Sequence, residues 1–302
     1  MRVLRLLISL CLIAAGAPGI VKAMELQAGT VKAWEEYVRG AETRIQTRPD
    51  ASRPFLWIDE SSERRAQVQR GEIVVAPVVG HGTESVQAGL IHDWIGAVFI
   101  PNATTESLLR VLHDYDEYKD IYKPVVTDSK TLACTAEKQE FAMTWQRRVL
   151  FVNAAMEGHY LAHDIAIDAR HGYIVADATE LQDIEDYGNA RQRILPPGTG
   201  KGFIWRLHSI ARYEETDGGV YLELEVIALT RDIPASLAWL VNPLLSHLSI
   251  KSLTATLSQT SRAVSRAPRS PEPAGGCQPR GPLAAGASGA GNEKRTRKKI
   301  AR

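Results

Sequence analysis

The 302-residue chain holds three cysteines, Cys11, Cys134 and Cys277, spaced so widely that they make neither a disulfide framework nor a zinc-binding pattern. It has no Gly-x-Ser-x-Gly elbow and nothing that marks a Cys–His nucleophile pair, so covalent catalysis of the common kinds has no motif to rest on. No stretch after the N-terminus approaches ~20 consecutive apolar residues, the length a membrane-spanning helix needs. A phosphate-binding loop is also missing. In "LPPGTGKGFIWRL", residues 195–207, Gly200-Lys201 invites that reading. However, Leu195 stands where the motif needs glycine and Gly202 where it needs Ser or Thr, and a period-2 strand pattern follows in place of a helix.

Positive charge is scarce over the central region. Residues 24–265 hold 24 Lys and Arg against 33 Asp and Glu, a net charge of −9, which excludes a basic nucleic-acid groove there. Residues 266–302 hold nine basic against two acidic residues among Pro, Gly and Ala, the composition of a disordered basic tail. Such a tail offers at most a weak attraction to anionic lipid. At the other end, Arg2 and Arg5 precede an apolar run from Leu6 to Ala15, and Val21-Lys22-Ala23 supplies a cleavage site. Residues 1–23 are expected to be a secretory signal, with export to the periplasm or medium; an uncleaved N-terminal anchor is the alternative.

What remains is patterned. Val31, Trp34, Val38, Ala41 and Ile45 recur at intervals of three and four and predict an amphipathic N-terminal helix, followed by short strands within 55–88. "AGLIHDWIGAVFIP" reads as a strand ended by Pro101. "NATTESLLRVLHDYDEYKDIY" then changes period, with Asn102 or Thr104 able to cap and Leu108, Leu109, Val111 and Leu112 forming a buried face. From Pro124 to residue 229 the chain is a run of strands with hairpin joints, as at Asp217-Gly218-Gly219. A long helical pattern through Leu237, Leu240, Leu244, Ile250, Leu253, Leu257 and Val264 closes the folded part, and Pro243 predicts a break or kink near 239–242. The layout is α+β, with helix on one sheet face.

This order resembles the START-like superfamily, also called SRPBCC or helix-grip, which includes polyketide cyclases and coenzyme Q-binding proteins. The carrying pieces are "FIPNATTESLLRVLHDYDEYKDIYKPVV" and "RDIPASLAWLVNPLLSHLSIKSLTATL". The resemblance covers about 85–265 and implies a curved antiparallel sheet wrapped around the C-terminal helix, with a pocket for lipids, isoprenoids or other greasy molecules between them. The signal, the N-terminal helix and the tail depart from that pattern. The implied organisation is 1–23 signal, 24–84 N-terminal helix and short strands, 85–265 helix-grip domain and 266–302 tail.

Strand parity nominates pocket residues. Phe141, Met143, Trp145 and Val149 share one face, as do Phe203, Trp205 and Leu207, and as do Val220, Leu222, Leu224 and Val226. With Leu253 and Leu257 from the helix, ten are expected to contact ligand: Phe141, Met143, Trp145, Phe203, Trp205, Leu207, Leu222, Leu224, Leu253 and Leu257. The same residues would equally build a solid core. Polar candidates fare worse. His159 and His163 lie ~13 Å apart along a strand, too far for one metal ion. His92-Asp93 and His113-Asp114 diverge as neighbours. Glu223 and Glu225 alternate with the apolar set and are expected to face solvent. No metal, cofactor or nucleic-acid partner is expected. The leading expectation is an exported carrier of a hydrophobic small molecule; a cyclase- or dehydratase-type enzyme using the same pocket and a ligand-free interaction module are the alternatives.

Overall fold

The computed structural model describes residues 26–46, 54–135, 138–149, 152–197, 199, 204–232 and 235–267. The expected signal (1–23) and all of the expected tail except 266–267 lie outside them, as does Phe203. Helix α1 (Ala28–Gln46) is followed by a 3-10 turn (Trp57–Glu60) and α2 (Ser62–Gln69). Strands β1 (Val74–Pro77), β2 (Thr83–Val86) and β3 (Gly89–Pro101) lead into α3 (Thr105–Leu112). A 3-10 turn (Tyr115–Glu117) and the short α4 (Tyr118–Ile121) come next. β4 (Val126–Cys134), β5 (Gln139–Val149), β6 (Val152–Ala166) and β7 (His171–Glu185) then run as successive antiparallel neighbours. The short β8 (Arg193–Ile194), then β9 (Arg206–Thr216), β10 (Gly219–Arg231) and the 32-residue helix α5 (Ala235–Arg266) complete the order.

The sheet runs β1-β3-β10-β9-β7-β6-β5-β4, with β2 on β3 and β8 on β7, and every pairing is antiparallel. β3 and β10 are far apart in sequence yet pair over their whole lengths, Gly219 opposite Pro101 and Arg231 opposite Gly89. That pairing closes the first strand onto the last and leaves α5 to return across the same sheet. This is the helix-grip layout. Thr104 is the cap of α3: its hydroxyl accepts from the Ser107 N–H while the Ser107 hydroxyl accepts from the Thr104 N–H, so two otherwise unpaired donors are satisfied.

Two of the expectations fail here. α5 runs through Pro243 without the expected break. Proline removes one donor and crowds the carbonyl four residues back, a cost of ~3 kcal/mol; the long segment docked on its C-terminal side outweighs it. Second, helices cover both sheet faces. α3, α4 and α5 lie on the inner face, where Val98, Ile100, Leu108, Val220, Leu222, Leu257 and Val264 form one buried cluster. On the outer face Trp34, Ala41 and Ile45 of α1 bury against Ile91, Tyr173, Val175, Ile210, Ile227 and Leu229. The segment 55–68 covers the remainder, through Leu56, Ile58 and Val68 against Ala97 and Tyr221.

Candidate functional site

The inner face is shaped by what α5 touches. Its C-terminal half lies on β3, where Gly96 makes the approach possible: a Cβ there would stand 2.8 Å from Leu257 Cδ1. One turn back, Arg147 of β5 donates to the Ser252 hydroxyl at 2.9 Å and reaches the Leu248 carbonyl at 3.5 Å. From Ser252 to Leu257 the helix rises only ~7.5 Å. Along the sheet β3 and β5 are five spacings apart, or ~24 Å at ~4.8 Å per strand. Long side chains shorten that gap without closing it, so β10, β9, β7 and β6 must bow away from the helix.

The side chains on the bowed strands match that geometry. Met143 and Trp145 on β5, Leu181 on β7, Leu207 on β9, and Leu224 and Val226 on β10 are apolar, share the inner face and remain only partly buried. To one side Leu222, Leu253 and Leu257 are fully buried under the helix. To the other, three rings fill the corner beneath α3 and α4: Tyr115 stacks on Phe141 with centroids 4.1 Å apart, and Phe141 on Tyr160 at 4.9 Å.

The nominated residues therefore separate. Met143, Trp145, Leu207 and Leu224 belong to the half-open floor, Phe141 to the ring stack, and Leu222, Leu253 and Leu257 to the packed region under α5. Trp205 does not join them; it packs on the outer-face cluster under α1. It precedes β9, and its N–H donates to the Leu229 carbonyl, so the parity read from the sequence does not reach back to it. A depression of about 450 Å³ beside Ile250, Thr254 and Ser258 lies on the solvent side of α5 and is not this space.

Two polar groups at the β5 end carry no sequence signal. Tyr160 Oη is buried and without a hydrogen-bond partner among the described residues. It lies over Gly158, where a Cβ would come within 2.5 Å of it, and burial pushes the phenol up to about 12. The nearest donor, the Trp145 indole, has no acceptor to offer, so the phenolic proton stays unsatisfied whichever way that contact is drawn. Arg147 is half-buried, burial pulls its guanidinium down from the ordinary value, and its partners are a hydroxyl and a carbonyl with no carboxylate at ion-pair distance among the described residues. A tyrosine and an arginine on neighbouring strands form no motif, which is why sequence reasoning misses both.

The His–carboxylate pairs resolve as structural. His113 lies 3.0 to 3.1 Å from both oxygens of Asp164; Asp164 also accepts from Gln139, and Gln139 accepts from the Tyr115 hydroxyl. Each of these four side chains is engaged with another of the set. His92 bonds the Thr230 hydroxyl, while Asp93 on the opposite face accepts from Tyr37. His159 and His163 bring no third ligand to a common point among the described residues.

Glu223 and Glu225 overturn the expectation that they face solvent. They are 0% and 3% exposed, because α1 and the 55–68 segment cover the face they point to. Glu223 accepts from the backbone N–H groups of Trp57 at 3.0 Å and Ile58 at 2.9 Å. Arg212, itself 1% exposed, donates to Glu225 at 2.6 Å, and its Nε lies 3.3 Å from Glu223 in poor hydrogen-bond alignment. Arg44 of α1 reaches Glu225 at 3.1 Å. Burial, then the Glu225 charge, push the Asp93 carboxyl up to about 7. Cys134, at the exposed end of β4, is disulfide-bonded, a pairing the cysteine spacing does not disclose.

No family model matches the chain, and no curated protein matches it. Among solved structures it is similar to the STAR-related lipid transfer protein of Xanthomonas axonopodis, at 17% identity and TM-score 0.40, covering 64% of this chain and 99% of that one. It is similar to the Zhui aromatase/cyclase of Streptomyces sp. R1128 at 12% and 0.40, covering 58% and 94%. Human STARD10 follows at 12% and 0.38, covering 72% and 82%. At these values the likeness carries nothing about ligand or reaction, and the fold stands on its own strand order. Among the described residues no helix is long and apolar enough to cross a membrane.

Proposed function

We propose that the protein binds and carries a hydrophobic small molecule of the lipid or isoprenoid class in the space between the bowed strands and α5. The supporting observation is the floor: six apolar side chains on four strands, facing the helix and left partly unburied between two packed regions. A methylene buried there contributes ~0.8 kcal/mol, so ten would supply ~8 kcal/mol before the entropy of association is subtracted. The Tyr160 hydroxyl and Arg147, which among the described residues lack a hydrogen-bond partner and a carboxylate respectively, favour a ligand with one hydrogen-bond-accepting end lodged at β5. Export belongs to the same reading and rests on residues 1–23 alone; N-terminal sequencing of the protein recovered from cells checks it.

The test is native mass spectrometry of protein purified from its own compartment, with Leu207→Trp beside it. Wild type should retain or take up a lipid, and the tryptophan, filling the floor, should exclude it with little change in melting temperature. A wild-type protein that is ligand-free and takes up no lipid from a fatty-acid, phospholipid and isoprenoid panel would end the proposal. Among the described residues the inner-face His113–Asp164 pair is engaged through Gln139, so a catalytic reading finds no support at that pair.

A further inference from the structure

A second group of side chains lies on the outer face, away from the floor. His208 of β9 is 0% exposed. Its Nδ1 is 2.7 Å from Asp177 Oδ1 on β7, and in the neutral imidazole that contact places the proton on Nδ1 and the lone pair on Nε2. Among the described residues that Nε2 has no hydrogen-bond partner, and it is directed at Glu42 of α1, whose Oε1 lies 3.9 Å away. In that form a lone pair and a carboxylate oxygen face each other and repel unless a cation, metal ion or proton, lies between them. Donor atoms of all three residues fall within 4.8 Å of one another.

We propose that His208 and Glu42 hold a divalent transition-metal cation of the zinc kind, with Asp177 as the positioning residue that orients the imidazole, and that the ion pins α1 to the sheet. Metal bonds of ~2.0–2.1 Å to nitrogen and ~2.0–2.2 Å to oxygen sum to slightly more than the observed separation. The ion therefore sits off the Nε2–Oε1 line, with water completing its shell on the side where the Glu42 side chain is 37% exposed. A carboxylate on the far nitrogen of a metal-binding imidazole is the arrangement that makes it a better ligand. The imidazole–carboxylate set suits zinc, nickel or copper over magnesium or calcium. No spacing motif announces the site, because the three residues come from a helix and two strands and are up to 166 positions apart.

The experiment uses the full chain, stripped with EDTA and titrated with zinc chloride at pH 7.5, read by calorimetry and thermal melting. Wild type should bind one zinc per chain with a melting temperature raised by several degrees. Glu42→Gln, on a partly exposed helix position, should melt like stripped wild type yet bind zinc at least tenfold more weakly, and Asp177→Asn should lose ~10–100-fold in affinity. Zinc stabilisation that is absent in wild type, or equal in Glu42→Gln, overturns the proposal. So does stabilisation that follows acidification alone, which would assign the contact to an imidazolium. None of these readouts depends on the lipid.

Discussion

The two faces of this sheet solve opposite problems with the same strands. On the outer face the alternate residues of β9 and β10 include Arg212, Glu223 and Glu225, and α1 with the 55–68 segment seals them from water. On the inner face the residues between them are Leu207, Ala211, Leu224 and Val226, which stay only partly buried. Charge lies where the cover is complete, and apolar surface where it is not. A buried charge tolerates no gap, since each lone pair must find a donor. An apolar floor costs only ~25 cal/mol per Å² while open, and a greasy ligand can recover that.

The outer layer should give way most at Glu223. Its carboxylate satisfies two backbone N–H groups of the 57–60 turn and faces Arg212, so Glu223→Ala strands two buried donors and leaves the buried Arg212 with one carboxylate partner fewer, Glu225 remaining. The expected loss is ~3–5 kcal/mol in urea unfolding. A loss below ~1 kcal/mol would show that the outer layer is not held by its charges. Next comes Leu257→Ala on the packed part of the inner face, with an expected loss of ~2–5 kcal/mol because the glycine-enabled contact with β3 leaves nothing to collapse into the void. Urea unfolding checks this too, and an unchanged midpoint would mean that α5 does not depend on this contact.

Asp93→Asn acts on the outer face in the opposite direction. The folded-state carboxyl is raised to about 7 from its ordinary 3.8, so the native protein holds a proton that the unfolded chain has released. Stability from this group is present below the lower value and is lost as pH rises through the window to about 7. Asparagine removes that dependence. The variant should therefore gain on wild type between pH 4 and pH 8, by up to ~4 kcal/mol at the alkaline end. Parallel stability curves for the two proteins would sink the idea that Asp93 is held against Glu225 at a cost.

Much of the fold is legible in the sequence. The α1 stripe from Val31 to Ile45, the cap at Thr104, the hairpin strands and the long terminal helix all follow from periodicity and turn chemistry, which are local properties. Parity places Met143 and Leu224 on the inner face because alternation survives along a regular strand. What escapes is non-local. Glu223 and Glu225 look solvent-facing from the sequence, since parity says which way a side chain points and nothing about what lies beyond it. Irregular backbone just before β9 puts Trp205 out of reach of the same rule. Pro243 sits inside α5 because docking further along outweighs a local penalty. The Glu42, Asp177 and His208 group exists only after α1 has folded back across the sheet.

The smallest expected effect on stability is at the floor itself, and there the two faces are separated most sharply. Leu224 packs on the buried inner cluster at its margin and Met143 on the ring stack at its margin, and both keep partly exposed apolar atoms. Truncation to alanine removes surface that was already half in water, so Leu224→Ala and Met143→Ala should each cost less than ~1 kcal/mol, well short of the loss expected at Leu257. Lipid should nevertheless bind more weakly to both, since each methylene of the ligand that is left without an apolar neighbour forfeits ~0.8 kcal/mol, about a fourfold change in affinity. The check is urea unfolding of ligand-stripped protein beside a displacement titration with a fluorescent fatty acid. If the alanines were to destabilise the protein as much as Leu257→Ala, the floor would be core and α5 would close on the strands without a space to fill.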